Sequence, residues 1–226
     1  MALAQKTDGI TELVEQIGSA LADIGIFVIE DELTDDQFRN ASGHFGDIVY
    51  ESEVRMGAER PRNYQLPAAI DFHTDHVMAE TIAWRCVASE PGGGEMRFLD
   101  LQKIADTLDA TEQSALARVG VPDNAAWGGG EPIALALPRS GGLRFHFVPW
   151  LHCHPYDWEA AAAFGKFEQA FQAAAQADYV EVALSPGQCV FLDNHRIAHG
   201  RAAIPPDSPR HLTRLWLGSD GPGRIA

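Results

Sequence analysis

His73-Thr74-Asp75, within Asp71-Phe72-His73-Thr74-Asp75-His76, carries residue types and a spacing suited to metal chemistry. In an extended strand, side chains at i and i+2 point to one face. His73 and Asp75 therefore aim an imidazole and a carboxylate at a common point. One further ligand from elsewhere would complete a two-histidine, one-carboxylate set, which on an iron ion leaves half of the octahedral positions open to reactants. Alone the triplet carries little weight, because a chain with 9 His and 32 Asp plus Glu supplies it by chance. A polar turn bearing a surface histidine is the competing reading.

A second cluster lies in Leu192-Asp193-Asn194-His195-Arg196-Ile197-Ala198-His199-Gly200-Arg201 and Arg210-His211-Leu212-Thr213-Arg214-Leu215-Trp216. Read as a strand, the last segment places Arg210, Leu212, Arg214 and Trp216 on one face. His211, Thr213, Leu215 and Leu217 fall on the other, so burial on both faces is expected. Arginine on such a strand is costly unless it meets an anion. Carboxylate ligands inside a barrel would supply one, in bidentate pairing. In the alternative, Arg210 stands at the strand's exposed start and Arg214 pairs with an internal Asp or Glu.

The elements that must position these groups are mostly strands. Leu13, Val14, Ile17, Leu21 and Ile24 recur at helical period up to Gly25, and a strand follows over 26–29. Thr34 and Gln37 form a capping box for a helix carrying Phe38, Ala41 and Phe45. A strand over 48–50 leads into an irregular stretch over 51–69 and the His73 strand. Strands are expected over 81–89 and 96–99, two short helices over 101–108 and 110–119, and a loop over 122–131. Ser140-Gly141-Gly142 joins strands over 133–137 and 143–147 as a hairpin. The clearest helix runs over 158–177 with Phe164, Phe167 and Phe171 as core anchors. Strands over 180–184 and 189–192 read as another hairpin, and the last strand covers 212–217. Short strands with helices bunched between them argue against a parallel α/β sheet and fit an antiparallel double sheet flanked by helices better.

At 226 residues the chain suits one domain, over 1–226, with one sizeable core. A net charge of −15 argues against nucleic-acid and anionic-membrane partners, which would be repelled. No stretch approaches the roughly 20 apolar residues that span a bilayer, and the first residues lack a basic-then-apolar leader. Cys86, Cys153 and Cys189 are odd in number and unpaired in spacing, which fits reduced thiols and a cytoplasmic setting.

Taken together, His73-Thr74-Asp75, Pro91-Gly92-Gly93-Gly94-Glu95, Ser185-Pro186-Gly187, Asp193-Asn194-His195-Arg196, His199-Gly200-Arg201 and Arg210-x-x-x-Arg214 resemble the iron(II)- and 2-oxoglutarate-dependent dioxygenases, within them the taurine dioxygenase and clavaminate synthase-like group. The resemblance spans residues 73 to 214 in order and spacing. It implies a double-stranded β-helix (jelly-roll, cupin-like) core, with His73, Asp75 and His199 as catalytic iron ligands. It also implies Arg210 on the far carboxylate of 2-oxoglutarate and Arg214 on the substrate's acidic group. The cofactors implied are Fe(II), 2-oxoglutarate and O2. The reaction implied is hydroxylation of an unactivated C–H in a small amino-acid-like or carboxylate-bearing metabolite, with release of succinate and CO2. Halogenating relatives vacate the carboxylate position for chloride, so Asp75 favours hydroxylation or a related oxidation, desaturation and ring closure included.

Met96 departs from the pattern, since relatives commonly place there a Thr that touches the 2-oxoglutarate carboxylate; either a different hydroxyl, such as Thr81 or Thr213, works with Arg210, or the matching position is offset by one residue. His146 is expected to enter the barrel and touch substrate, with Arg144 on the same strand face. Trp84 and Tyr64 are candidate pocket walls. His152-Cys153-His154 reads as a loop before a second metal site, His195 as part of a structural turn and His44 as a helix-surface residue. A different class, a cupin-like Zn- or Mn-dependent hydrolase, isomerase or binding protein, has no use for the Arg210/Arg214 pair. Substrate identity is expected to reside in loops over 51–69 and 122–155.

Overall fold

In a computed structural model of the chain, residues 2–56, 66–123 and 130–219 are described. Helix α1 (Ala2–Asp23) stops where Gly25, at φ +79°, turns the chain into β1 (Ile26–Ile29). Any Cβ at Gly25 would collide with Ile197 at 2.8 Å, so the turn needs glycine for space as well as for conformation. Helix α2 (Asp35–Ser42) begins at the Thr34–Gln37 capping box, and β2 (Asp47–Arg55) and β3 (Ile70–His73) follow. Next come β4 (Thr81–Ala88), β5 (Met96–Asp100), α3 (Leu101–Ala105) and α4 (Ala110–Ala115). Short strands β6 (Val119–Val121), β7 (Ile133–Ala134), β8 (Ala136–Arg139), β9 (Gly142–Phe145) and β10 (His154–Pro155) precede the long helix α5 (Trp158–Ala177). The chain closes with β11 (Val180–Val182), β12 (Cys189–Asp193), β13 (Ile197–Arg201) and β14 (His211–Gly218).

Two antiparallel sheets form the frame: β1-β12-β4-β14-β2 and β11-β5-β13-β3. Their facing sides share a core that includes Ile82, Trp84, Val190 and Leu212 from the first sheet, with Phe98 and Ile197 from the second. Helices α1 and α2 cover the outer face of the five-stranded sheet through Ile17, Phe38, Phe191 and Leu215. Helices α3, α4 and α5 cover the outer face of the four-stranded sheet, where Phe167 and Phe171 meet Leu99 and Ala198. This layering is why β14 is apolar on both sides, with Leu212 and Trp216 inward and Leu215 and Leu217 under the helices. The fold is mainly β with flanking helices, around a jelly-roll double sheet.

Three expectations change. Strand β2 runs on through Arg55, within the stretch expected to be irregular, because β14 pairs with it from Asp47 to Arg55. The segments around 180–184 and 189–192 are not a hairpin: β11 pairs with β5, whereas β12 pairs with β1 and β4. Ser185-Pro186-Gly187-Gln188 instead carries the chain from one sheet to the other, and each strand finds its ladder elsewhere. The hairpin around Gly141 is present as β8–β9, but Ile133 pairs with β6, so the first strand breaks at Leu135. Arg144 is consequently exposed while His146, just past β9, is buried; the two do not share an inward face. Tyr64, with the 57–65 and 124–129 parts of the expected loops, lies outside the described residues.

Candidate active site

His199 on β13 stands directly opposite His73 at the end of β3, in antiparallel register, and their rings lie 4.4 Å apart. Asp75 follows β3 by two residues, so the chain itself must be pinned there. Thr74 does part of this: its N–H donates to the Phe147 carbonyl at 2.8 Å, and its hydroxyl accepts from the Phe147 N–H at 2.8 Å. Asn194 does the rest. Fully buried in the β12–β13 turn, it accepts the Asp75 N–H through Oδ1 at 2.8 Å and donates through Nδ2 to the carbonyls of Asp75, at 3.2 Å, and Ala79, at 2.8 Å. Flanking residues fix that turn. Arg139 holds the Asp193 carboxylate at 2.6 Å, His195 Nε2 meets the Val77 carbonyl at 3.0 Å, and Arg196 pairs with Asp100 at 2.7 Å. His195 is thus the structural residue that the sequence suggested.

The Asp75 carboxylate faces His73 Nε2 through Oδ1 and His199 Nε2 through Oδ2, each at 3.7 Å. His73 Nδ1 lies 2.8 Å from the Asp71 carbonyl, an acceptor only; the proton therefore sits on Nδ1 and the Nε2 lone pair is left for a metal. From behind, Trp216 Nε1–H donates to Asp75 Oδ2 at 2.8 Å and Arg214 Nη1 at 3.2 Å. Burial works to raise the Asp75 carboxyl, yet Arg214 and the two histidines outweigh it and hold it below the ordinary carboxylate range. Burial lowers His73 despite Asp75, and lowers His199, with help from His73, to about 3. The three groups thus present two neutral imidazoles and one carboxylate, the deprotonated set a metal requires. Their ligand atoms lie within 4.8 Å of one another, and among the described residues they are the only such group. His152, Cys153 and His154 form none. The arrangement fits a divalent iron held on one face.

The triad opens into a cavity of about 760 Å³ between the two sheets, large enough for a small metabolite beside a cosubstrate. Arg210, Arg214 and His146 line it with the triad, as does Trp84, edge-on to His199 at 5.1 Å. Arg210 is buried rather than at an exposed strand start, and Arg214 spans Asp75 and the Ser52 hydroxyl, at 3.1 Å. Thr81 and Thr213 do not line the cavity, although Met96 does. Thr81 pairs with Leu217 at the far end of β14 from Arg210, and Thr213 points to the opposite face from Arg214. Neither serves as the substitute hydroxyl.

His146 is pushed down to about 4, by burial and then by His76, and its Nδ1 has no partner among the described residues. His76 also lines the cavity; its Nδ1 accepts the Met78 N–H at 3.3 Å, so its Nε2 donates to Asp123 Oδ1, at 3.2 Å. Trp150 packs on His73 with ring centres 4.8 Å apart. Asn194, His76, Trp216 and Arg201 were not singled out as site residues from the sequence. Two of them carried a signal: Trp216 and Arg201 each stand two residues from a named site residue on the same strand face.

Comparison with known proteins extends these observations. No curated protein sequence matches the chain, but many solved structures share its fold. Asparagine oxygenase in complex with Fe(II), (2S,3S)-3-hydroxyasparagine and succinate superposes with a TM-score of 0.73 at 17% identity, over 93% of this chain and 80% of that one. The non-heme iron oxygenase OrfP in complex with Fe and alpha-ketoglutaric acid gives 0.74 at 16% identity, over 94% and 80%. The model of the taurine catabolism dioxygenase TauD, TfdA family matches residues 2–216. With nearly its whole length inside that match, the chain belongs to the TauD/TfdA family of iron(II)- and 2-oxoglutarate-dependent dioxygenases.

Proposed function

We propose that His73, Asp75 and His199 hold Fe(II), that Arg210 receives the distal carboxylate of 2-oxoglutarate, and that the enzyme hydroxylates an unactivated C–H of a small amino-acid-like or carboxylate-bearing metabolite. One observation carries this reading: three deprotonated ligand atoms converge within 4.8 Å in a cavity that also holds the Arg210 guanidinium, which has no ion pair among the described residues. When bound, iron and 2-oxoglutarate supply an O2-dependent oxidation coupled to decarboxylation of the cosubstrate to succinate and CO2. The protein's part is placement. Trp216 and Arg214 keep the Asp75 carboxylate ionised and aimed, the Asp71 carbonyl sets the His73 tautomer, and the Trp84 and Trp150 rings keep water from the triad's flanks.

The hydroxyasparagine bound in the asparagine oxygenase complex and the hydroxy-L-Arg bound in an OrfP complex support an amino-acid-like substrate here. Arg214 has five donors on its guanidinium and can serve Asp75 and a substrate carboxylate together. Neutral His146 is the proposed partner for a polar substrate group, through the face it turns to the cavity. The same reading takes residues 1–226 as one domain. Three free cysteines support a reducing, cytoplasmic compartment, and a net charge of −15 a small-molecule rather than nucleic-acid partner. Among the described residues, no helix is long and apolar enough to cross a membrane.

Anaerobic reconstitution with Fe(II) and 2-oxoglutarate tests the proposal directly. A weak visible charge-transfer band is expected, lost or shifted to much higher 2-oxoglutarate concentration in Arg210→Ala. No band in the wild type, together with no effect of Arg210→Ala, would sink the cosubstrate assignment. A metal-dependent hydrolase would give neither the band nor succinate.

A further inference from the structure

Among the described residues, Asp75 is the only acid that lines the cavity, and its Oδ2 already accepts from Trp216 Nε1 and Arg214 Nη1. The guanidiniums of Arg201, Arg210 and Arg214 stand against it, so the wall carries two positive charges in excess. His73, His146 and His199, held neutral by burial, leave that excess unchanged. Fe(II) and doubly ionised 2-oxoglutarate bring equal and opposite charge, and loading the site leaves it in place as well.

No second anion is at hand. Asp123 is bonded to the lining residue His76 but does not itself line the cavity. Its Oδ1 meets His76 Nε2 at 3.2 Å, its Oδ2 accepts the Gly130 N–H at 3.1 Å, and its side chain is only 6% exposed. In the sequence over 57–65, outside the described residues, one acid, Glu59, is set against Arg60 and Arg62. Much of the remaining wall is apolar or aromatic, with Val54, Val148, Leu151 and Leu212 beside Tyr50 and Trp150. Aromatic faces attract cations, but Trp216 already carries Arg214, whose guanidinium carbon lies 5.4 Å from the ring centre. An ammonium drawn in from water would therefore lose hydration, meet positive charge and find no carboxylate to pair with. A carboxylate gains from the same field.

We propose that the substrate is an acid of net negative charge whose nitrogen, where it has one, is acylated, and that the cavity excludes free amino acids and other cationic amines. This rests on the reading of the site given above and narrows it. Of the two substrate classes named there it selects the carboxylate-bearing one, and an amino-acid body enters as its N-acyl derivative.

The test titrates three matched ligand sets into the anaerobic holoenzyme, with Fe(II) and 2-oxoglutarate bound, by isothermal calorimetry. The sets are L-leucine, N-acetyl-L-leucine and 4-methylpentanoate; L-phenylalanine, N-acetyl-L-phenylalanine and 3-phenylpropanoate; and L-asparagine, N-acetyl-L-asparagine and succinamate. In at least one set the amine-free acid, which is smaller than the amino acid and cannot clash where it fits, should bind at least about 10-fold more tightly than the free amino acid, with the N-acetyl derivative alongside it. The same ranking is expected in thermal melts of the metal-free protein, which need no turnover. Leu151→Glu, which adds a carboxylate to the wall, should narrow the gap about 10-fold in favour of the free amino acid; if that variant does not fold, the wild-type ranking decides alone. Free amino acids that bind as tightly as their amine-free partners in every set overturn the proposal. So does a complete absence of binding by the amine-free acids, or a folded Leu151→Glu that leaves the ratio unchanged. A wild type that shows no charge-transfer band with 2-oxoglutarate brings down the cosubstrate reading instead, and the metal-free melts still decide the charge preference.

Discussion

His199 and His146 are both buried, neutral imidazoles, yet the surroundings give them different work. His199 presents Nε2 to the Asp75 carboxylate across 3.7 Å, within the group of three converging ligand atoms. His199→Ala is expected to abolish both Fe(II) binding, read by titration, and succinate formation. Full retained activity would show that the third ligand lies elsewhere. His146 makes a prediction about acid stability. Its midpoint is 6.5 in an unfolded chain and about 4 in the fold. Between those values the unfolded chain takes up the proton and the folded one does not, so stability is fully present above about 6.5 and falls as pH drops toward about 4. The contribution of this one group is at most about 3 kcal/mol. Urea unfolding at pH 7 and pH 4.5 should show a smaller acid loss for His146→Gln than for the wild type; equal losses would place the titrating group elsewhere.

The β12–β13 turn is the element on which the site depends. Asn194 reaches from it to the 75–79 segment with no exposure to solvent, and its side chain answers the part-buried Asp75 N–H and the buried Ala79 carbonyl. Asn194→Ala should cost roughly 2–4 kcal/mol in urea unfolding, from the groups left unsatisfied, and should weaken metal binding though it removes no ligand. A variant that loses stability but binds Fe(II) normally would show that Thr74 alone holds Asp75. Much of this architecture was legible in the sequence because hydrophobic period and turn residues encode it locally: α2 from its capping box, α5 from its phenylalanine stripe, β14 from its two apolar faces. Partner choice was not. Nothing in Val180–Val182 or Cys189–Asp193 records that they lie in different sheets, because a short β-branched run joined to the next by a tight turn fits a hairpin as well as a crossing between sheets. In the site, the triad and Arg210 could be found because motif order constrains them. His76 and Arg201 could not, since their meaning comes from neighbours distant in sequence, such as Asp123 and Leu66.

At the scale of the molecule, the reaction space lies at the seam between two sheets. Strands β3 and β13 of one sheet bring His73 and His199, and β14 of the other brings Arg214 and Trp216 to Asp75. Ligands that bind there tie the sheets together and should stabilise the whole fold. Fe(II) with 2-oxoglutarate at about 100 times its dissociation constant should add about 2.7 kcal/mol. In a chain of this size that raises Tm by roughly 5 to 11 °C in a single transition, and a chelator should reverse it. Two separate transitions would contradict a single domain. The Asn194 bridge has a kinetic side as well. The Asp75 amide proton points at a buried side chain on another turn, so it can exchange with solvent only when β12 and β13 come apart. In hydrogen–deuterium exchange that amide should keep time with the slowest core strands. The segment that presents the carboxylate would then be unable to open by itself, and the site would persist for as long as the fold does.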